Sequence, residues 1–219
     1  MTFFELLLEY GTEYLKALLM TWGLTALSFI FAGVLGIVLT ICRLSPIKIL
    51  RLVAEFYVQI FRNIPGAALL IILVYALPYL EVVLSYFNCV FIAVSLIVAA
   101  FFAENLLSGI NTINSGQIEA ARSLGFTFFQ IIRYIVIPQA VRSSILPMTN
   151  LLIATMLTTS LASQVPLVPQ DLTGIVDHIN THATGGILAF VISAVLYCAT
   201  ALGIGQLGNY IDRKVRIKR

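Results

Sequence analysis

Arg62 is the residue whose chemistry stands out. It is the eleventh residue of Leu52–Leu80, a segment whose only other charge is Glu55. A guanidinium binds a carboxylate through two parallel hydrogen bonds, which suits the α-carboxylate of an amino acid. On a helix starting at Leu52, Arg62 would lie about 16 Å along, at 1.5 Å per residue. That is near mid-membrane, where an arginine is costly and faces a cavity or a partner. The other readings are an ion pair with Glu55 or Glu104, or a later-starting helix that leaves Arg62 at an interface. Asn63 follows, and then Pro65 and Gly66, which would interrupt the helix and free backbone groups to line a cavity. Glu104 closes another apolar segment and could pair with Arg62 or sit near lipid headgroups. Thr158, Thr159 and Ser160 carry hydroxyls that either contact a substrate or bond their own helix backbone.

A second polar stretch, Gln117–Pro147, carries Glu119, Arg122, Arg133 and Arg142 between long apolar segments. Gln117–Leu124 is helix-forming, and Gly125 can end it in a left-handed conformation. Thr127 is a reasonable cap for a second helix, which Pro138 is expected to interrupt. Two short helices at an angle follow, with Phe128, Phe129, Ile132 and Ile135 on one side. Chemistry alone leaves open a docking element for a soluble partner or an amphipathic hairpin lying on lipid.

Apolar helices must position these groups. Of 219 residues, 60% are hydrophobic and 11% charged. A soluble domain needs roughly a quarter charged, so lipid must cover much of this surface. Five segments reach the ~20 apolar residues a span requires: about 17–42, 52–80, 82–108, 143–165 and 185–209. Each must be helical, because an isolated strand in hydrocarbon leaves its backbone unpaired. The expected fold is an all-α membrane protein, a single transmembrane domain over 1–219. The first segment is too long for a cleaved signal, and Glu5, Glu9 and Glu13 precede it in place of a basic cluster.

Charge bias gives a topology. Arg43, Lys48 and Arg51 lie between the first two spans, and Arg122, Arg133 and Arg142 between the third and fourth. Arg213, Lys214, Arg216, Lys218 and Arg219 form the tail. The alternate segments are poor in Lys and Arg, which predicts an outer N-terminus and a cytoplasmic C-terminus. Pro166–Thr184 then reads as an outer loop with one short helix, T-GIVDHI. His178 and His182 in it have a metal-compatible spacing but no third ligand, so no metal is expected. Ala32/Gly36, Ala199/Gly203 and Ala201/Gly205 have the spacing of close helix contacts. Cys42, Cys89 and Cys198 read as small buried side chains.

The run Glu119-Ala120-Ala121, three residues, Gly125, nine residues, then Ile135-x-Ile137-Pro138 resembles the EAA loop of bacterial ATP-binding cassette importer permeases. The family usually has Leu at the position of Ile137. Phe61-Arg62-Asn63-Ile64-Pro65 resembles the FRGTP-type motif of the polar amino acid branch. Ala103-Glu104, Gly109, Ile110, Ile113, Gly116 and Gln117 resemble its third-span run, and Thr149-Asn150 and Thr159-Ser160-Leu161 its later motifs. Two departures stand out: Ser108 where many members have Arg, and Leu157-Thr158 where the family has Lys-Asp.

The resemblance implies five transmembrane helices with a coupling hairpin at about 116–142, between the third and fourth. It implies a permease subunit importing amino acids across the inner membrane of a bacterium, paired with a second permease subunit, same or homologous. Two cytoplasmic ATPases would dock on Glu119, Ala120, Ala121, Gly125, Ile137 and Pro138. An extracytoplasmic binding protein would deliver the substrate, and lipid surrounds the chain; nucleic acid has no part. The sequence has no phosphate-cradling G-x-x-x-x-G-K-[ST] loop. ATP and magnesium therefore belong to the partner ATPase, and no cofactor or catalytic residue is expected here. Without the Asp of the span-four motif, this subunit cannot offer that charge to a cationic substrate. Other readings are a permease for methionine or another small solute, against which SQVPLVPQDL after span four argues, a secondary transporter, and a membrane scaffold.

Overall fold

The computed structural model describes residues 2–183 and 185–215; Arg216, Lys218 and Arg219 of the basic tail fall outside them. Helix α1 spans Phe3–Leu44. It starts at Phe3 because Thr2 and Glu5 form a reciprocal cap: Thr2 N–H donates to Glu5 Oε2 at 2.8 Å and Glu5 N–H to Thr2 Oγ1 at 3.4 Å. Its 42 residues would reach about 63 Å, twice a ~30 Å hydrocarbon core. The apolar stretch 17–42 is thus the inner part of a longer helix. The extra turns are held by packing, since Leu6, Tyr14 and Ala17 are buried.

The second apolar segment makes no straight span. Helix α2 (Lys48–Asn63) and helix α3 (Gly66–Ile71) with the turns that extend it to Leu80 meet at a 102° bend. Pro65 has no N–H to continue the helix and pushes Ile64 into an extended conformation, ψ 132°. Helix α4 (Tyr86–Asn111) is capped by Ser85 and helix α5 (Ser115–Ser123) by Asn114. Thr127 and Gln130 form a second capping box at helix α6 (Phe128–Ile131). Helix α7 (Ile137–Thr158) continues into a tight turn over Thr159–Gln164. Helix α8 (Gly174–His182) is the short helix expected in the long loop, and helix α9 (Gly186–Val215) ends the chain.

Pro138 does not interrupt its helix. A wide turn at Ile132–Val136, closed by Ile137 N–H to Ile132 O, joins α6 to α7. The result is one helix over Phe128–Gln164. The same device precedes Pro78, where Ile72–Ala76 widens and Leu77 N–H bonds Ile72 O. A proline ring collides with the carbonyl four residues back, and one extra residue in the turn relieves that collision. Four helices, α1, α4, α6–α7 and α9, are long and apolar enough to cross a membrane, and the bent α2–α3 pair would make a fifth. No strand occurs among the described residues.

Helix α4 is the centre of the bundle. Its Ala93, Val94, Ala99, Ala100 and Ala103 are buried against Leu24 and Ala32 of α1, Ala54 and Val58 of α2, and Leu151 of α7. Helices α1 and α4 run parallel: Phe31 meets Phe91, Gly36 meets Phe102, and Arg43 meets Glu104. Helix α7 runs back along α4, with Ser143 Oγ donating to Gly109 O. Helix α9 runs back along α7, with Gly208 against Thr149. Arg43, the α5–α6 hairpin, Arg213 and Lys214 therefore gather at one end of the bundle.

The other end holds the start of α1, the 165–173 segment and α8. Tyr14 Oη donates to Ala189 O at 2.9 Å, and Leu172 N–H donates to Thr21 Oγ1 at 3.1 Å. Asp171 is buried there, accepting from Thr173 N–H, Gly174 N–H and Tyr197 Oη. Burial raises its carboxyl above the usual range, against the opposing pull of those hydrogen bonds. A folded-state pKa above the unfolded value favours the folded state at low pH. That stability is lost as pH rises through the raised pKa. Melting of wild type and Asp171→Asn across pH 4–8 should show the wild-type advantage shrinking as pH rises.

Among the small-residue pairs, Ala32 and Gly36 do lie in a contact, and a Cβ at 36 would come 2.8 Å from Phe102 Cβ. In α9 the tight contact is Gly208, where a Cβ would overlap Thr149, while nothing lies within 4 Å of Gly203. Gly208→Ala should lower the melting point of the detergent-purified subunit by the equivalent of about 1–3 kcal/mol, the scale of overpacking. Gly203→Ala should leave it unchanged or raise it, since alanine is the better helix former.

Candidate functional site

Three groups of residues define the site, beginning with the hairpin. Gly125 turns the chain between α5 and α6 with φ +82°, a conformation that costs other residues Cβ strain. The two short helices close on their own core. Ala121, Ile131 and Val136 are buried, with Ile110, Ile113, Ile118, Ile132 and Ile135 packed around them. Glu119 and Ala120 are exposed, whereas Ala121 is 3% exposed and belongs to the hairpin interior. Ile132 and Ile135 face inward and Phe128 and Phe129 outward, so the four do not share one face. Gln139 Nε2 donates to Gln117 Oε1 at 2.7 Å, tying α5 to the start of α7 beside half-exposed Ile137 and partly buried Pro138.

The second group is a chain of four charges. Arg43, at the end of α1, forks between two carboxylates: Nη2 lies 2.8 Å from Glu55 Oε2 and Nη1 2.8 Å from Glu104 Oε2. Arg62 Nη1 reaches the same Glu104 oxygen at 3.3 Å, and its guanidinium lies 5.7 Å from the Phe101 ring centroid. The Arg43 side chain is 10% exposed and that of Arg62 35%. Arg62 is therefore placed at the end of α2, one turn before the Pro65 bend, and is paired with Glu104. Arg43 is the member sequence reasoning missed, having been counted only as loop charge. A signal was present: the apolar segments hold Glu55 and Glu104 but only Arg62 to balance them.

The third group is the turn after α7. Thr158 Oγ1 bonds Ala154 O at 2.8 Å, and fully buried Thr159 bonds Met156 O at 2.6 Å. Both hydroxyls serve their own helix, while Ser160 is partly buried. Asn63 likewise bonds back to Gln59 O at 2.6 Å. Gly66 brings the bend and this turn together, since a Cβ there would stand 2.9 Å from Leu161 Cδ1. His178 and His182 stack with ring centroids 4.4 Å apart. No group of three potential metal ligands exists among the described residues.

Residues 32–217 match the family described as binding-protein-dependent transport system inner membrane component. The chain belongs to this family.

The permease is similar to the glutamate transport system permease protein GluC of Corynebacterium efficiens, 34% identical over 96% of this chain and 97% of that protein. The Corynebacterium glutamicum protein of the same name is 35% identical over 94% and 97%. Among solved structures, an amino acid ABC transporter crystallised with histidines matches with TM-score 0.92 and 27% identity, covering 98% of this chain and 99% of that one. The MetNI methionine ABC transporter, at TM-score 0.77 and 22% identity over 95% and 99%, shares the fold. The chain is a polar amino acid ABC importer permease, a multi-pass membrane protein.

Nothing lies within 4 Å of a Cβ at Gly125, so a side chain there meets only backbone strain. Gly125→Ala should destabilise the permease by roughly 1–2 kcal/mol, read as a lower melting point in detergent.

Proposed function

We propose that this chain forms half of the pathway of an importer for amino acids in a bacterial inner membrane, driven by a separate pair of ATPases. A second permease subunit completes the pathway, and an extracytoplasmic binding protein feeds it. ATP and magnesium are bound by the ATPase partners. The gathering of Arg43, the hairpin, Arg213 and Lys214 at one end supports a cytoplasmic location for that end under the positive-inside rule. The N-terminus and the Asp171 segment then lie outside.

The observation that carries the reading is the hairpin's construction. It has its own apolar core, it presents Glu119 and Ala120 outward, and α6 is continuous with α7. A partner that pulls on the exposed face moves the fourth span with it, because no flexible joint intervenes. Ala121 and Gly125 serve this by shaping the hairpin rather than by touching the partner. Ile137 and Pro138 mark where hairpin becomes span. In the pathway, Arg62 takes a carboxylate of the cargo, the Pro65 bend opens backbone toward it, and Glu104 holds Arg62 between cargoes. Asn63, Thr158 and Thr159 shape the helix ends, and Ser160 is the hydroxyl free to meet cargo.

Permease, ATPase and binding protein reconstituted in liposomes test the proposal. Uptake of labelled amino acid should require ATP inside; uptake driven by an ion gradient without ATP would refute it. Glu119→Lys should weaken ATPase association by about tenfold, the scale of one lost charged contact. Because Glu119 is exposed, the variant should melt as wild type does.

A further inference from the structure

We propose that Arg43 is a positioning residue that sets the cargo preference of this permease. It pairs with both Glu55 and Glu104, which leaves Arg62 lightly held and available to a carboxylate. This rests on the reading of Arg62 as the cargo contact.

The two arginines are held very differently. Arg43 is the less exposed, and each of its terminal nitrogens sits 2.8 Å from a different carboxylate. A planar fork satisfied on both arms is difficult to displace, because leaving would strand two acids at once. Besides the Phe101 ring, Arg62 has one ion pair, at 3.3 Å, to an oxygen that Arg43 already occupies. An incoming carboxylate gains a bidentate partner in Arg62 and breaks only that contact. Glu104 is not left bare, because Arg43 stays.

A cargo with a cationic side chain meets the reverse situation. Glu104 Oε2 carries two guanidinium groups, and Glu55 is held by Arg43 and by Gln59 Nε2 at 2.9 Å. The nearby turn over Leu157–Leu161 contributes hydroxyls and no carboxylate. Before cargo arrives the four charges sum to zero, so an approaching side-chain ammonium finds no net negative charge and meets two like charges. Removing Arg43 changes this balance. Arg62 becomes the sole counter-charge for Glu104 and is drawn away from cargo.

The test uses the permease–ATPase complex in lipid nanodiscs without the binding protein, whose own selectivity would mask the effect. L-glutamate, L-glutamine and L-arginine serve as probes in calorimetric titration. Wild type should bind glutamate and reject arginine. Arg43→Gln should weaken glutamate by about tenfold or more, the loss of one charged contact. Arg43→Gln with Glu104→Gln should recover most of that loss, because Glu104, the acid in contact with Arg62, then no longer competes for it. A merely structural Arg43 would show no such recovery, and that result overturns the proposal. So does arginine binding wild type as tightly as glutamate does. Loss of binding in Arg62→Ala with Arg43→Gln unaffected sinks the role of Arg43 alone. Unchanged binding in Arg62→Ala sinks the underlying reading of Arg62.

Discussion

Hydrocarbon supplies no hydrogen bonds, and that constraint governs every irregular point in this chain. A helix that stops or bends inside lipid must satisfy its own polar groups. The Pro65 bend is buttressed by α4 and by the turn after α7, with Gly66 admitting Leu161 at close range. The wide turns before Pro78 and Pro138 let two helices pass a residue that would otherwise break them. The hydroxyls of Thr25, Thr40, Thr149, Thr155 and Thr158 all return to carbonyls of their own helices. These residues give the bundle polarity without leaving groups unpaired.

The same constraint explains the four-charge chain. Of the four charges only Arg43 is largely buried, and it is the one paired with two carboxylates. Glu55, Arg43, Glu104 and Arg62 pair across three helices and in doing so tie α1, α2 and α4 at one level. Balance is complete but uneven, with one arginine clamped and the other lightly held. That asymmetry lets Arg62 exchange partners while Arg43 keeps a contact with both carboxylates. The hairpin beyond this level has its own small core, and its second helix runs on into α7. Movement delivered there reaches α7 through continuous helix.

Much of this was legible in advance. Apolar length marked the long helices, Gly125 marked the hairpin turn, and T-GIVDHI marked α8. The motif from Glu119 to Pro138 marked the family. The errors have specific causes. Pro138 reads as a breaker because local rules assume a regular α-helical turn, and a wide turn evades them. The start of α1 was hidden because its support comes from Ala189 and α8, more than 150 residues away. The small-residue spacing in α9 pointed to Gly203, which meets nothing, and to Gly205, which faces Ile153, but spacing states which residues share a face and not that Gly208 makes the tight contact.

The sequence by itself determined that this is an all-helical membrane protein of a binding-protein-dependent importer, because hydropathy and a spaced motif are local properties of the chain. It also marked Arg62 as a residue that needs a partner, a cavity or an interface, since an arginine among apolar residues is costly. Only the tertiary structure decided which partner. The choice among Glu55, Glu104 and cargo depends on how α1, α2 and α4 are packed. That packing brought in Arg43, whose place in a nominal loop did not say which acids it would meet. The 102° bend at Pro65 was decided in the same way: proline dictates an interruption, but the angle is set by the helices that fill the space around it.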